Sequence, residues 1–150
     1  MTDVPRVVRV SREVAADPET IFELIADPAQ QPRWDGNDNL GNADVGQRVR
    51  GVGDVFVMTL TSGQVRENRV VEFDESRLIA WQPAPPGEEP PGHLWRWALE
   101  PLGDGRTRVI HSYDWTALTD EKRMARARQN TPDALAASVD RLAALAESGA

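Results

Sequence analysis

The 150-residue chain has no cysteine, two histidines, one tyrosine and no apolar run approaching the length of a membrane span. Without cysteine there is no disulfide, no thiolate nucleophile and no thiolate ligand. That composition fits a reducing cytoplasm, the expected location. Two imidazoles, His93 and His111, and no thiolate offer no cluster for a metal, so none is expected. Met1 to Arg12 lacks an apolar stretch of signal-peptide length, and no segment is expected to insert in a membrane. Neither a phosphate-binding glycine loop nor a nucleophile elbow is present, and no cofactor is expected. Positive charge is short as well: 17 Lys and Arg stand against 24 Asp and Glu, a net charge of −7. This balance argues against broad nucleic-acid binding and against anchoring on acidic lipid. Nothing in the composition sets an oligomeric state.

What is present centres on Thr131–Glu147. Thr131 suits an N-cap, Pro132 the first helical position, and Asp133 the positive end of the helix dipole. Leu135, Val139, Leu142, Ala143 and Ala146 then recur at helical spacing and make one apolar stripe, and Gly149 marks the stop. Such a helix needs a surface on which to bury its stripe. The rest of the chain supplies one. Val4–Val14 alternates as a strand. Asp17-Pro18 opens a short helix with Ile21, Phe22 and Ile25 inward, and Asp27-Pro28 opens a second that Pro32 is expected to cut off. Gly36–Gly46 reads as loop. Asp54–Thr61, Gln64–Phe73, Arg77–Gln82, His93–Leu102 and Arg106–Leu118 read as strands of a meander, with Gly103-Asp104-Gly105 the strongest hairpin signal. A helical stretch opens at Thr119 and is interrupted near Asn130. At this size a single domain buries roughly 70% of its unfolded surface, enough for a core without staples.

The order is thus strand, two short helices, about six antiparallel strands and a long helix, an α+β arrangement. With Asp17-Pro18-Glu19-Thr20-Ile21-Phe22, Pro32-Arg33-Trp34-Asp35, Trp81, Trp95-Arg96-Trp97 and Asp114-Trp115, it resembles the START-like (SRPBCC, helix-grip) superfamily. Within it the chain looks closest to the bacterial polyketide cyclase/dehydrase-like branch. The resemblance runs from about Val8 to Leu145. It implies a helix-grip fold: a curved antiparallel sheet of about seven strands wrapped around the long C-terminal helix. It further implies a cavity between the two for a hydrophobic or aromatic small molecule, lipid- or polyketide-like. Residues 1–150 would then form a single START-like ligand-binding domain.

Strand parity nominates the groups that line such a cavity. His93, Trp95 and Trp97 share one face of their strand, and His111, Tyr113 and Trp115 one face of the next. Turned inward together, Trp95, Trp97, His111, Tyr113 and Trp115 form an apolar wall with polar tips, as small-molecule sites do. The same tryptophans read equally well as core filling. His111 with Tyr113 is either an acid/base pair or a pair of hydrogen-bonded groups that catalyses nothing. On Gln64–Phe73 the apolar Val71 and Phe73 share parity with Glu67 and Arg69, which would bring that couple to the cavity. A solvated cross-strand pair is the competing reading. Trp34 either lines the cavity mouth or packs under the second helix. Pro83–Gly92 either overhangs the entrance or is an inert surface loop. Lys122, Arg123, Arg126 and Arg128 read as a solvated helix face. Three functions follow. The first is a binder of a hydrophobic or aromatic molecule. The second is a polyketide cyclase/dehydrase-type enzyme, in which Arg69 would orient carbonyls and His111 and Tyr113 would move protons. The third is a co-chaperone-like interaction module, which an apolar patch on the sheet exterior would favour.

Overall fold

The computed structural model describes residues 5–149. Val4, expected to begin the first strand, lies outside the described residues. Strand β1 (Val7–Val14) is followed by helix α1 (Pro18–Ala26), a 3-10 turn (Pro28–Gln30) and helix α2 (Gln31–Trp34). Strands β2 (Leu40–Asn42), β3 (Val55–Leu60), β4 (Val65–Asp74), β5 (Leu78–Ala84), β6 (Leu94–Gly103) and β7 (Arg106–Asp114) come next. Helices α3 (Glu121–Ala127) and α4 (Pro132–Glu147) close the chain. The strands form one antiparallel seven-stranded sheet in the order β1-β7-β6-β5-β4-β3-β2. This is the helix-grip arrangement, with the sheet curved around α4.

Local chemistry explains most of the boundaries. Asp17 is extended and Pro18 starts α1, whose Ile21, Phe22 and Ile25 are fully buried. The Thr131 hydroxyl accepts the Ala134 N–H at 3.2 Å, and the Asp120 carboxylate accepts the Lys122 N–H at 2.9 Å, so both late helices carry side-chain caps. Two boundaries differ from expectation. Pro32 does not cut off a helix: it lies in the first turn of α2, where its missing N–H had no partner to lose. The strand expected to reach Leu118 ends at Asp114, whose carboxylate accepts both the N–H and the hydroxyl of Thr116. That local turn pulls the chain off the sheet. One strand was hidden in the expected loop. Leu40-Gly41-Asn42 pairs with β3, and a Cβ on Gly41 would sit 2.8 Å from the Thr59 carbonyl oxygen. Close backbone approach, and not a hydrophobic pattern, makes that strand.

The apolar stripe of α4 divides lengthwise. Val139, Leu142, Ala143 and Ala146 join Ile21, Phe22 and Ile25 of α1 and Ile79, Leu99 and Val109 of the sheet in the main core. Leu135, one helical turn earlier, belongs to a second cluster with Val8, Tyr113, Trp115, Leu118, Met124 and Ala127 under α3. Between the two clusters the sheet and the first half of α4 do not close on each other.

Candidate functional site

That gap is a cavity of about 610 Å³, bounded by β3 to β7, by α2 and the loop after it, by α3, and by Ala134, Leu135 and Ser138 of α4. Its opening follows from the sheet register. β5 pairs with β6 only from Leu78 to Trp81, with Trp81 opposite Trp95. Beyond Trp81, β5 continues through Pro83 and Ala84 hydrogen-bonded to β4 alone. Pro83 has no N–H to offer a strand on its free side, so its position is tolerated there. The proline-rich loop then carries Pro85 and Pro91 to the rim.

Opposite this rim, Trp34-Asp35-Gly36 fastens the loop after α2. The Trp34 indole donates to the Leu24 carbonyl at 2.7 Å. The Asp35 carboxylate accepts the N–H groups of Asn37, Asn39 and Leu40 at 2.7–3.0 Å. Gly36 lies so close to α4 that a Cβ there would meet the Ala137 backbone at 2.6 Å. Its N–H donates to the Ser138 hydroxyl at 3.0 Å.

The inner wall is aromatic. The His111 ring stacks on Trp97 with centroids 3.6 Å apart, and on its other side lies Trp95 at 5.6 Å. Tyr113 packs against Trp95 at 4.2 Å, and Trp34 meets Trp97 edge-on at 5.1 Å. His111 Nδ1 is 3.1 Å from the Arg96 carbonyl oxygen. A carbonyl only accepts, so Nδ1 carries the proton and Nε2 keeps its lone pair. Burial pushes the His111 pKa down to about 3, against the small opposing effect of that hydrogen bond. His93 falls to about 4, mainly through burial and then through Arg123, Arg66 and Arg126. Burial raises the Tyr113 phenol to about 12, while Asn130 and Arg126 pull the other way. Both imidazoles are therefore neutral near pH 7. Trp97 Nε1 and His93 Nδ1 are buried without a hydrogen-bond partner. Buried polar atoms ordinarily find one, so these two are unsatisfied donors or acceptors on residues of the cavity wall.

Of the candidate site residues, Trp95, Trp97, His111, Tyr113 and Trp34 line the cavity. Three do not. Trp115 follows the turn at Asp114 and is buried in the second cluster, with the guanidiniums of Arg6 and Arg128 over its ring at 4.8 and 5.7 Å. Arg69 and Glu67 lie on the outer face of the sheet. Arg69 pairs with Glu89 at 3.2 Å, and Glu67 accepts the Gly87 N–H at 2.9 Å. The cause is a β-bulge: Val70 pairs with Trp81 but Glu72 with Ala80, leaving Val71 as an extra residue. Parity flips there. Phe73 is inward against Phe22, and so is Val70, while Arg69 and Glu72 point outward. Reading inward parity from Val71 and Phe73 back to Arg69 crosses the bulge and inverts the assignment. Arg66 and Asn68 take the inward places. Lys122, Arg123 and Arg126, read as a solvated face, also border the cavity. Met124 and Ala127 pin α3 beside Trp115 and so fix which charges turn toward the mouth.

Residues 5–147 match the family described as polyketide cyclase / dehydrase and lipid transport. Over 115 residues, 73% of this chain, the sequence is 35% identical to Uncharacterized protein Rv0088 of Mycobacterium tuberculosis. The chain spans about half, 48%, of that relative's length. Protein MLL2253 from Mesorhizobium loti has TM-score 0.71 at 18% identity over 97% of this chain and 99% of its own. A START superfamily protein from Mycobacterium smegmatis has TM-score 0.66 at 18% identity, over 96% of this chain and 99% of its own. The Aha1 dimer from Colwellia psychrerythraea has TM-score 0.64 at 20% identity, over 95% and 97%. These structures share the fold. With the sequence match over nearly all of the described residues, the chain belongs to the family of polyketide cyclase / dehydrase and lipid transport proteins.

Proposed function

We propose that this chain forms one ligand-binding domain that takes up a hydrophobic or aromatic small molecule, lipid- or polyketide-like, between the sheet and α4. The observation behind this reading is the cavity of about 610 Å³ faced by Trp95, Trp97, His111 and Tyr113, a volume in the range of small-molecule sites. A planar apolar guest would lie against the Trp97–His111 stack, with Trp97 Nε1–H as a donor and His111 Nε2 as an acceptor. A binder is favoured over a cyclase/dehydrase-type enzyme. A histidine whose pKa is about 3 is a feeble base near neutrality, and the Arg69 that was to polarise carbonyls is outside the cavity. Among the described residues the interaction-module reading has Val55 and Val57 on the outside of β3, Val45 and Val52 on the loop before it, and Val7 alone on β1. No described helix is long and apolar enough to cross a membrane. With the absence of cysteine, this supports a cytoplasmic location.

Intrinsic fluorescence tests the binding site. Planar aromatic compounds should quench it saturably, and Trp97→Ala and Trp95→Ala should weaken their binding. Saturable binding that neither substitution changes would put the site elsewhere. No binding across a broad lipophilic library would turn the reading toward an interaction module. Cyclisation of a poly-β-keto thioester mimic, lost in His111→Ala while binding survives, would establish the enzyme instead.

A further inference from the structure

The cavity mouth is cationic in a protein that is acidic as a whole. Its charged lining consists of Arg66 from β4 and Lys122, Arg123 and Arg126 from α3, facing two carboxylates, Asp35 and Asp120. The net charge of the chain is −7. Neither carboxylate pairs with Arg66 or Arg126. Asp35 is occupied by three backbone N–H groups of its own loop. Asp120 caps α3 and pairs with Arg123 at 2.8 Å.

Arg66 and Arg126 have no carboxylate partner among the described residues. Arg66, half-buried, reaches only the Val65 carbonyl at 3.0 Å and the Gln64 side-chain oxygen at 3.1 Å. Burial, Arg126 and Arg123 all press its pKa downward. Like charges brought together at a partly buried place oppose folding unless something offsets them. Several arginines outside the cavity do hold acids: Arg48 holds Glu23 and Glu75, Arg96 holds Glu72, and Arg108 holds Glu100. Arg66 and Arg126 stand out because both border the cavity. At the far end of the same space, Trp97 is fully buried and its Nε1–H is unpartnered.

We propose that the ligand of this cavity is an amphipathic acid, its oxyanion head held at the mouth by Arg66, Arg126 and Arg123 and its apolar body lying against Trp97 and His111. Guanidinium groups suit this task because their planar N–H forks meet an oxyanion with two parallel hydrogen bonds. Lys122 adds a point charge at the rim. The proposal rests on the cavity being a binding site, and it adds the chemistry of one end of the guest.

Two probes that share one apolar body separate the two ideas. Anilinonaphthalene sulfonate carries an anionic head, and N-phenylnaphthylamine does not. The sulfonate should bind more tightly, and added salt should weaken it alone. Arg66→Gln and Arg126→Gln should each weaken the sulfonate about tenfold to a hundredfold, the worth of a hydrogen bond to a charged group, and leave the neutral probe unchanged. Arg69→Gln, which removes the same charge from the outer face, should change neither. Dodecanoate should displace the sulfonate where dodecanol does not. Equal binding of both probes, indifferent to Arg66→Gln and Arg126→Gln, would overturn the anionic head and leave the cavity reading intact. Failure of both probes to bind would overturn the cavity reading and this proposal with it.

Discussion

His111 shows how one side chain's surroundings decide its chemistry. The ring is enclosed by Trp97 and Trp95, it donates to the Arg96 carbonyl, and no charged group contributes to its shift. Unfolded, a histidine titrates near pH 6.5; folded, His111 titrates at about 3. The unfolded chain therefore binds this proton more tightly. The stability that the neutral ring contributes is present above pH 6.5 and is lost as pH falls from 6.5 toward 3. For this residue alone the loss should reach about 2 kcal/mol by pH 5. Urea unfolding of the native protein and of His111→Gln at pH 7 and pH 5 isolates it from the carboxylates and from His93. The difference in stability between the two proteins should narrow by that amount on acidification. A constant difference would mean that the ring is not held neutral by burial. Imidazole was legible in the sequence as a candidate group, but its pKa was not, because desolvation is a property of the packed wall. Arg69 and Arg66 make the same point about direction. Their residue types were plain, yet a single extra residue at Val71 decides which of them faces the cavity.

Among the elements, α4 was the most legible, and it is also the one that joins core to cavity. Its cap, its proline and its stripe of Leu135, Val139 and Leu142 are local signals that agree with one another, and all three side chains are buried. Leu142 is fully buried among the residues of the main core. Leu142→Ala should therefore destabilise by about 2–5 kcal/mol, measured by denaturant unfolding, since the surrounding side chains can only partly close the space. A loss under about 1 kcal/mol would mean that this stretch of α4 is not packed into a rigid core. β2 and α2 were harder to read for a physical reason. β2 has three residues and exists through backbone proximity at Gly41. The boundary of α2 turned on whether Pro32 ends a helix or begins one, and a proline is compatible with both. α3 was seen as a basic helix, but its orientation comes from long-range contacts of Met124 and Ala127 that no local pattern contains.

Taken whole, the molecule has a solid half and a hollow half. α1, the second half of α4 and the β6–β7 hairpin end form the continuous core. α3, the first half of α4 and the diverging ends of β5 and β6 surround the cavity. Walls that face the cavity lack protein packing partners on one side, so they should open locally at lower free energy than the core. A guest restores those contacts, and it stabilises the native state by about 2.7 kcal/mol when present at a hundred times its dissociation constant. Amide hydrogen exchange read by mass spectrometry can see both effects. Without ligand, peptides covering residues 121–127 and 132–138 should exchange faster than those covering 139–147, although 132–147 is one continuous helix. With saturating N-phenylnaphthylamine, the first two should slow most, together with the ends of β5 and β6 that face the gap. Anilinonaphthalene sulfonate should protect residues 121–127 more than the neutral probe does, because its head group engages Arg123 and Arg126. Protection confined to α1 and residues 139–147, with α3 unchanged, would place the guest outside the cavity and refute the division of the fold into a packed half and a receiving half.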